Sequence, residues 1–220
     1  MKIIKRFPHK KANNCVMGSF RDICEFNGYD FSEDFLLGIS SGLCFVYLKL
    51  KRFGMPAFTT GADIRNFVDN ICSALNVEYE TRTTKSSRRA WSNVKELIDQ
   101  DIPAALQVEM FYLPYIEEIA VKGAPKELDT SEVHFGGHTV VMIGYDDEKE
   151  EAYIYDNGLD EMQVISYEGL ERARASKLKP FPPNNRFWKF TFPETLPSLD
   201  ESLRGCLESL EAVQQSPSNQ

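Results

Sequence analysis

The chain has 220 residues, of which 42% are hydrophobic and 26% are charged, and this composition predicts one soluble globular domain, or one domain with an appendage. The formal net charge of −8 argues against a nucleic-acid-binding protein, and the sequence contains neither an apolar run of membrane-spanning length nor a signal-peptide core. The five cysteines are odd in number and include no C-x-x-C pair, which argues against a disulfide framework and a structural zinc site. We therefore expect a cytoplasmic protein that binds no metal and does not associate with a membrane.

The first predicted helix spans residues 14–27 and begins with a cysteine. Asn14 is a preferred N-cap residue, an apolar stripe at helical spacing follows it, and Gly28 ends the pattern. Cys15 thus lies in the first turn, where unpaired N–H groups and the helix dipole favour a thiolate, the reactive form of cysteine. A free cysteine is more often a small buried core residue, so Cys15 is a predicted nucleophile only if a base and an orienting group accompany it.

The remaining pattern places helices before a sheet. Helices are predicted over residues 35–39, 61–76, 86–100 and 166–175, and strands over 42–48, 77–82, 103–108, 138–145, 151–156, 161–166 and 187–192, with an irregular loop over 114–134. Short turns join the later strands, so we expect an antiparallel sheet and an α+β fold. We interpret residues 1–195 as one catalytic domain. Residues 196–220 then form an amphipathic helix and a polar tail, either docked on that domain or opening a second domain that this chain lacks.

A histidine and an aspartate follow Cys15 in the order typical of papain-like cysteine enzymes. There are three histidines in all, and His138 starts a predicted buried strand after two glycines. Asp156 ends the next strand within an Asp-Asn-Gly turn, where it could orient the His138 imidazole, as Asn157 could in its place. A cysteine at a helix start, followed by His138 and Asp156 on successive strands, predicts a triad of nucleophile, base and orienting group.

Other polar and aromatic residues are candidates for the rest of the site. A polar side chain shortly before the nucleophile helps form the oxyanion hole in papain-like enzymes, and the candidates beside the Cys15 N–H are His9, Asn13 and Asn14. Four residues are candidates for substrate binding, although tyrosines are more often packing residues: Glu109, Tyr112, Tyr115 and His134. Glu109 in particular could line the pocket or bind an amine.

Several blocks of residues, taken together and in order, resemble a known family. They are Asn14-Cys15 with Gly18-Ser19 and Arg21-Asp22, Gly28 with Ser32-Glu33, Gly38-Ile39-Ser40-Ser41-Gly42-Leu43 with Phe45, Met110-Phe111-Tyr112-Leu113-Pro114-Tyr115, Gly137-His138 with Val141 and Gly144-Tyr145-Asp146, and Leu170 with Ala173-Arg174. Over residues 7–192 the sequence resembles the amino-terminal domain of the butirosin biosynthesis protein H family. The resemblance implies a papain-like fold and an acyltransferase of antibiotic biosynthesis, which moves an acyl group from an acyl carrier protein to a small amine acceptor.

The expected chemistry needs no metal or redox cofactor, and the resemblance implies that the acyl carrier protein supplies the phosphopantetheine that bears the acyl group. Carrier proteins are typically acidic, and three groups of basic residues could attract one in spite of the net charge. They are Lys2, Lys5, Arg6, Lys10 and Lys11, then Lys49, Lys51 and Arg52, and then Arg82, Lys85, Arg88 and Arg89. A solvated surface is the simpler interpretation of each group.

The sequence leaves three functions open. The resemblance favours acyl transfer to an amine. Hydrolysis by a peptidase, an amidase or a thioesterase would use the same acyl-enzyme and differ only in the second nucleophile. A binding module that has kept the fold without the activity is the third, and the intact set of Cys15, His138 and Asp156 argues against it.

Overall fold

A computed structural model of the protein describes residues 1–40, 45–49, 56–60, 67–116, 134–179, 181–205 and 207. The chain forms two compact units. The first consists of Met1–Asp30 with Glu80–Lys189, and the second of Phe31–Tyr79 with Phe190–Gln220. The three residues of the predicted triad all lie in the first unit. The predicted division of the chain into residues 1–195 and 196–220 stays a prediction.

Helices precede most of the strands, as the sequence predicts. The elements are β1 (Lys2–Ile3), α1 (Cys15–Phe26), α2 (Glu33–Ile39), β2 (Phe45–Lys49), β3 (Pro56–Thr60), α3 (Phe67–Leu75), β4 (Glu78–Arg82), α4 (Ser87–Asp99), β5 (Ala104–Val108), a 3-10 helix (Met110–Tyr112), β6 (His138–Asp146), β7 (Glu151–Tyr155), β8 (Gln163–Ser166), α5 (Tyr167–Ala175) and β9 (Phe187–Thr191). Residues 199–205 are also helical. The predicted loop over 114–134 lies mostly outside the described residues. Residues 42–44 of the first predicted strand and residues 61–66 of the predicted helix over 61–76 also lie outside them.

The first unit contains most of a seven-stranded sheet with the strand order β4-β9-β5-β6-β7-β8, in which β1 also pairs with β6. The pairs β5 with β6, β6 with β7, β7 with β8 and β5 with β9 are antiparallel. This arrangement confirms the predicted α+β class. All nine residues of β6 are buried, so this strand forms the centre of the core. Strand β1 lies so close to the last residues of β6 that a Cβ on Gly144 would be 2.7 Å from the Lys2 carbonyl oxygen.

The antiparallel register brings three chemically important positions to one end of the sheet. Val108, the last residue of β5, lies opposite His138, the first residue of β6. Strand β7 runs back toward the same end, and Asp156 follows its last residue. In an antiparallel pair, one strand ends where its neighbour begins. Glu109, His138 and Asp156 therefore lie at the end of the sheet where β5 and β7 end and β6 begins.

Helix α1 packs against β6 and begins next to this end of the sheet. The side chain of Asn14 caps the helix, since its oxygen accepts from the Val16 and Met17 N–H groups at 3.0 and 3.1 Å. These bonds satisfy two of the donors that a helix start leaves unpaired. The buried face includes Met17 and Ile23, which anchor the helix on the sheet. The cap and this apolar face together fix the position of Cys15.

The described part of the second unit contains α2, α3, the hairpin of β2 and β3, and the helical residues 199–205. Ser32 caps α2 through its hydroxyl, which accepts from the Phe35 N–H at 3.1 Å, and α2 packs on α3. Strands β2 and β3 pair antiparallel, with Phe45 opposite Thr60. The sequence predicts a strand close to β2 but none at β3. None of the helices in the described parts of the chain is long and apolar enough to cross a membrane.

Candidate active site

Cys15 is the first residue of α1, and its side chain faces the start of β6. The sulfur is hydrogen-bonded to the His138 imidazole and accepts from the backbone N–H of Thr139. The residue is partly exposed, whereas Cys24 and Cys72 are buried. Cys15 thus combines access from solvent with donors aimed at its sulfur, which is the environment of a reactive thiol.

His138 bridges the thiol and a buried carboxylate. Its Nε2 lies 2.8 Å from Oδ2 of Asp156, which leaves Nδ1 as the ring nitrogen that faces Cys15. Asp156 is 1% exposed, and its other oxygen accepts from the Gly158 N–H at 3.3 Å. The structure therefore brings the three predicted triad residues into one chain of hydrogen bonds, and it places Asp156 rather than Asn157 next to the histidine.

The electrostatics of the three groups favour a separated charge pair. Burial alone would raise the pKa of the Cys15 thiol, but the hydrogen bond and positive charge of His138 and the Thr139 N–H outweigh it, so the pKa is lowered. Burial likewise opposes a charged His138, yet its bonds to Asp156 and Cys15 raise the pKa of the imidazole. Burial also works against the Asp156 carboxylate, and the His138 partner still lowers its pKa. The favoured state is a thiolate next to an imidazolium that a carboxylate orients.

Tyr115 supports the orienting carboxylate. Its hydroxyl donates to Oδ2 of Asp156 at 3.1 Å, and the residue is 7% exposed. Burial and the neighbouring carboxylate raise the pKa of this tyrosine, so the hydroxyl remains a donor at all working pH values. The sequence suggested a substrate contact for Tyr115, which stays a prediction, and it did not reveal the bond to Asp156.

Tyr115→Phe is expected to lower kcat several-fold with little change in KM, because it removes one donor from Asp156 but no group that touches the thiol. The free energy of unfolding should fall by about 1 kcal/mol, the usual effect of one buried hydrogen bond. Steady-state kinetics and urea unfolding measure the two effects. An equal loss in kcat and in substrate affinity would instead indicate a direct contact with substrate.

His9 lies in a buried network behind α1 and not in an oxyanion hole. Its Nδ1 is 2.7 Å from Oδ2 of Asp22, and its Nε2 is 2.7 Å from the Leu159 carbonyl oxygen. Arg21 donates to the same Asp22 at 2.8 Å and to the Lys10 and Lys11 carbonyl oxygens. Both ring nitrogens of His9 already have partners, so neither can donate to a developing oxyanion. The predicted oxyanion role of His9 is therefore replaced by a structural one.

The partners of His9 also define its charge. A carboxylate and a carbonyl oxygen both accept hydrogen bonds, so this geometry favours an imidazolium with a proton on each ring nitrogen. Burial opposes this charge, but the bonds to Asp22 and Leu159 outweigh it and raise the pKa of His9. The imidazolium joins α1 to the loop that follows Asp156. This loop and the segment before the nucleophile are joined again by Asn157 and Ala12, which exchange two hydrogen bonds of 2.9 and 3.0 Å.

His9→Gln is expected to reduce stability in a pH-dependent way. The pKa of His9 is raised in the folded protein above its unfolded value of about 6.5, so its contribution is complete below that pH and is lost as the pH rises through the folded pKa. We expect a loss of roughly 1–3 kcal/mol at about pH 6 that shrinks at higher pH. Urea unfolding of both proteins across this range measures it, and a difference that does not change with pH would contradict a charged His9.

Of the other predicted side chains, Asn13 and Asn14 lie at the start of α1, and Glu109 lies just after β5. Asn14 caps α1 through its oxygen, and Asn13 is exposed just before it, so both stay predictions as oxyanion donors. Glu109 is fully buried, and one of its carboxylate oxygens accepts from the Phe135 N–H at 2.6 Å. Its second oxygen has no hydrogen-bond partner among the described residues.

Tyr112, the last residue of the 3-10 helix, lies next to His134. Their rings are 6.3 Å apart in an edge-to-face arrangement, and the Arg172 guanidinium lies 4.2 Å from the centre of the Tyr112 ring. The buried Nδ1 of His134 has no hydrogen-bond partner in the described structure. Their predicted contacts with substrate stay predictions. Within the described residues, no group of three or more histidine, cysteine, aspartate or glutamate side chains could hold a metal ion.

The sequence profile of a protein family described as butirosin biosynthesis protein H, N-terminal, matches residues 14–157. The chain belongs to this family. The matched segment begins at the cap of α1 and ends just after Asp156, so it contains the three hydrogen-bonded residues of the site. A search of curated proteins returned no match.

The fold also matches a solved structure. The crystal structure of a protein from Bacillus anthracis that is described as a C39-like peptidase superposes with a TM-score of 0.57 and 15% sequence identity, covering 89% of this chain and 100% of that chain. This similarity confirms the papain-like fold expected for the family. Family and fold together indicate a cysteine-dependent enzyme of the acyltransferase or hydrolase kind.

Proposed function

We propose that the protein is an N-acyltransferase of natural-product biosynthesis that takes an acyl group from an acyl carrier protein thioester and delivers it to an amine. The observation that supports this most strongly is the hydrogen-bonded arrangement of Cys15, His138 and Asp156 in a member of the butirosin biosynthesis protein H family. The arrangement suits a nucleophile that is already ionised and a base that already holds a proton.

In the first half of the proposed reaction, the Cys15 thiolate attacks the thioester carbonyl and forms a tetrahedral oxyanion. The Cys15 N–H and the side chains of Asn13 and Asn14 are the proposed donors to this oxyanion. The bond between the carbonyl carbon and the phosphopantetheine sulfur then breaks, and the imidazolium of His138 gives its proton to the departing sulfur. The products are the acyl-enzyme and the free carrier thiol, and no cofactor bound to the enzyme takes part.

In the second half, an amine attacks the acyl-enzyme and His138 accepts its proton. The carbon–sulfur bond to Cys15 breaks, the amide leaves, and the thiolate and imidazolium are restored. Glu109 is the proposed contact for an ammonium group of the acceptor, because a buried carboxylate oxygen without a partner suits a cation. Tyr112, Tyr115 and His134 remain the proposed lining of the substrate site.

The surface charges favour one of the basic groups as the proposed contact for an acidic carrier protein. Lys10 pairs with Glu25 at 2.8 Å and Lys11 with Asp160 at 2.6 Å, so these two charges are already neutralised locally. Arg88 and Arg89 are exposed at the start of α4 and form no ion pair in the described parts of the chain. An exposed, unpaired charge steers an oppositely charged partner better than one in an ion pair.

The alternative is a hydrolase that uses the same acyl-enzyme, and the shared fold with a C39-like peptidase favours it. Intact-mass spectrometry separates the two. The enzyme is mixed with a panel of acyl carrier proteins, and the acylated form is then divided between buffer and buffer with amines. Retention of the acyl group in buffer and its discharge by an amine would support transfer, whereas equally fast discharge in both would support hydrolysis.

The same assay tests the docking surface. Arg88→Glu with Arg89→Glu should slow acylation by a carrier protein in a salt-dependent way, while Lys10→Glu with Lys11→Glu is the matched control of equal charge change. Acylation by a small thioester that lacks the protein should be unaffected in both. Equal slowing in both double variants would place the dock elsewhere.

A further inference from the structure

A cavity lies in the first unit, between α4 and α5, and no step of the proposed reaction uses it. Its volume is about 340 Å³. The residues of interest in its wall are Ser87, Arg88, Trp91, Tyr167, Glu171 and Arg174. The wall thus combines two aromatic rings with two guanidinium groups and one carboxylate. A cavity with apolar walls and a few polar groups is typical of a small-molecule site.

Arg174 is the unusual member of this wall, because it is a buried cation with too few partners. The residue is 2% exposed, and its Nη1 donates to the Ala90 carbonyl oxygen at 3.3 Å. Neither its Nε nor its Nη2 has a hydrogen-bond partner anywhere in the described structure. Burial lowers the pKa of this arginine to about 10, and no carboxylate offsets that effect. An arginine left in this state destabilises the fold unless something else compensates its charge.

The two unpartnered nitrogens suit a particular kind of partner. Nε and Nη2 lie on one edge of the guanidinium plane, and two parallel N–H groups on such an edge match two oxygens of a carboxylate or a phosphate. Both nitrogens are shielded from solvent, and Arg174 belongs to the wall of the cavity. A bound anion would supply the hydrogen bonds and the negative charge that the protein itself does not supply.

The charges around Arg174 also favour an anion. Arg88 adds a second positive charge at the rim, and Ser87 and Arg88 belong to the first turn of α4, whose unpaired N–H groups favour negative charge. Glu171 is the one acidic residue in the wall, and it forms no ion pair with Arg174 in the described structure. The wall therefore has a net positive charge, with Glu171 as a competitor that lies one helical turn before Arg174.

We propose that this cavity binds the phosphate or carboxylate group of a small ligand, with the Nε and Nη2 edge of Arg174 as its main contact. Trp91 and Tyr167 would pack against the apolar part of the same ligand. The site is separate from Cys15, and the proposal holds whether the enzyme transfers its acyl group to an amine or to water.

Isothermal titration calorimetry of the full chain with sodium phosphate and, separately, sodium acetate tests the proposal. At constant ionic strength we expect saturable binding of at least one anion, and the preferred anion identifies the ligand group. Arg174→Met should weaken that binding at least about tenfold. Glu171→Gln should strengthen it several-fold, because it removes the competing carboxylate. Lys177→Gln is the matched control, since Lys177 is exposed shortly after Arg174 but does not line the cavity.

Thermal unfolding without added anion distinguishes a binding residue from a structural one. Arg174→Met should keep or raise the melting temperature, since it removes an uncompensated buried charge. The proposal is overturned if neither anion binds saturably, or if Arg174→Met binds as tightly as the unmodified protein. Should Arg174→Met fail to fold, the affinity of Glu171→Gln decides, and an affinity equal to that of the unmodified protein would also overturn it.

Discussion

Cys15→Ala is expected to abolish acylation of the protein and to lower turnover by at least roughly 10⁴-fold, the scale of loss when a covalent nucleophile is removed. The covalent step has no substitute, because Cys15 is the cysteine whose sulfur receives hydrogen bonds from His138 and Thr139. Turnover with a carrier-bound thioester and the intact mass of the reacted protein measure the two effects together. The fold should be preserved, since the partly exposed thiol contributes little to the core.

Cys24→Ala is the matched control for this experiment. Cys24 lies nine positions further along α1 and is fully buried, so its removal should leave a small cavity and lower stability without touching the chemistry. Burial also raises the pKa of Cys72, which keeps that thiol protonated and unreactive. An acyl group that still appears on the Cys15→Ala protein, or turnover that survives in it, would assign the nucleophile to another residue.

Local features of the sequence predict the position of the nucleophile, because the cap and the first turn depend on neighbouring residues. Asn14 accepts from the N–H groups two and three residues ahead, and such a cap is recognisable without any tertiary structure. The order of Cys15, His138 and Asp156 predicts that they meet, but only the sheet register gives their distances. The one-residue precision of that register depends on packing across the sheet, which sequence periodicity does not determine.

Several contacts that the sequence does not predict join residues far apart in the chain. His9 bonds to Leu159, 150 positions later, and Tyr115 bonds to Asp156, 41 positions later. Each residue type has several plausible roles, and a single sequence does not indicate which partner the fold brings close. The pairing of Asp22 with both His9 and Arg21 could be suspected only from an acidic residue and a basic residue on the buried side of α1. The sequence does not predict strand β3 for a local reason, because its first residue is Pro56 and proline weakens the pattern of a strand.

His138→Ala is expected to convert Cys15 into an ordinary or less reactive thiol, which alkylation by iodoacetamide reveals directly. In the unmodified protein, the lowered pKa of the Cys15 thiol keeps more of it ionised at low pH, so its alkylation rate should fall less between about pH 8 and pH 6 than that of an ordinary thiol. Without the imidazolium, burial and the negative charge of Asp156 both raise the pKa of the thiol. A thiol with a pKa of about 8.5 is only about 0.3% ionised at pH 6, so the alkylation rate of the variant at that pH should be far below that of the unmodified protein.

Asp156→Asn provides the graded comparison, because it leaves the histidine in place and removes only the charge that supports it. The raised pKa of His138 depends partly on this carboxylate, so the imidazolium should lose its proton at lower pH and the alkaline limb of turnover should move down. The alkylation rate at low pH should persist, since the Asp156 charge opposes the Cys15 thiolate. Peptide mapping assigns the label to Cys15 at each pH. If His138→Ala and the unmodified protein show the same pH profile, the histidine does not ionise the thiol, and the lowered pKa of Cys15 would have to come from Thr139 and the start of α1 alone.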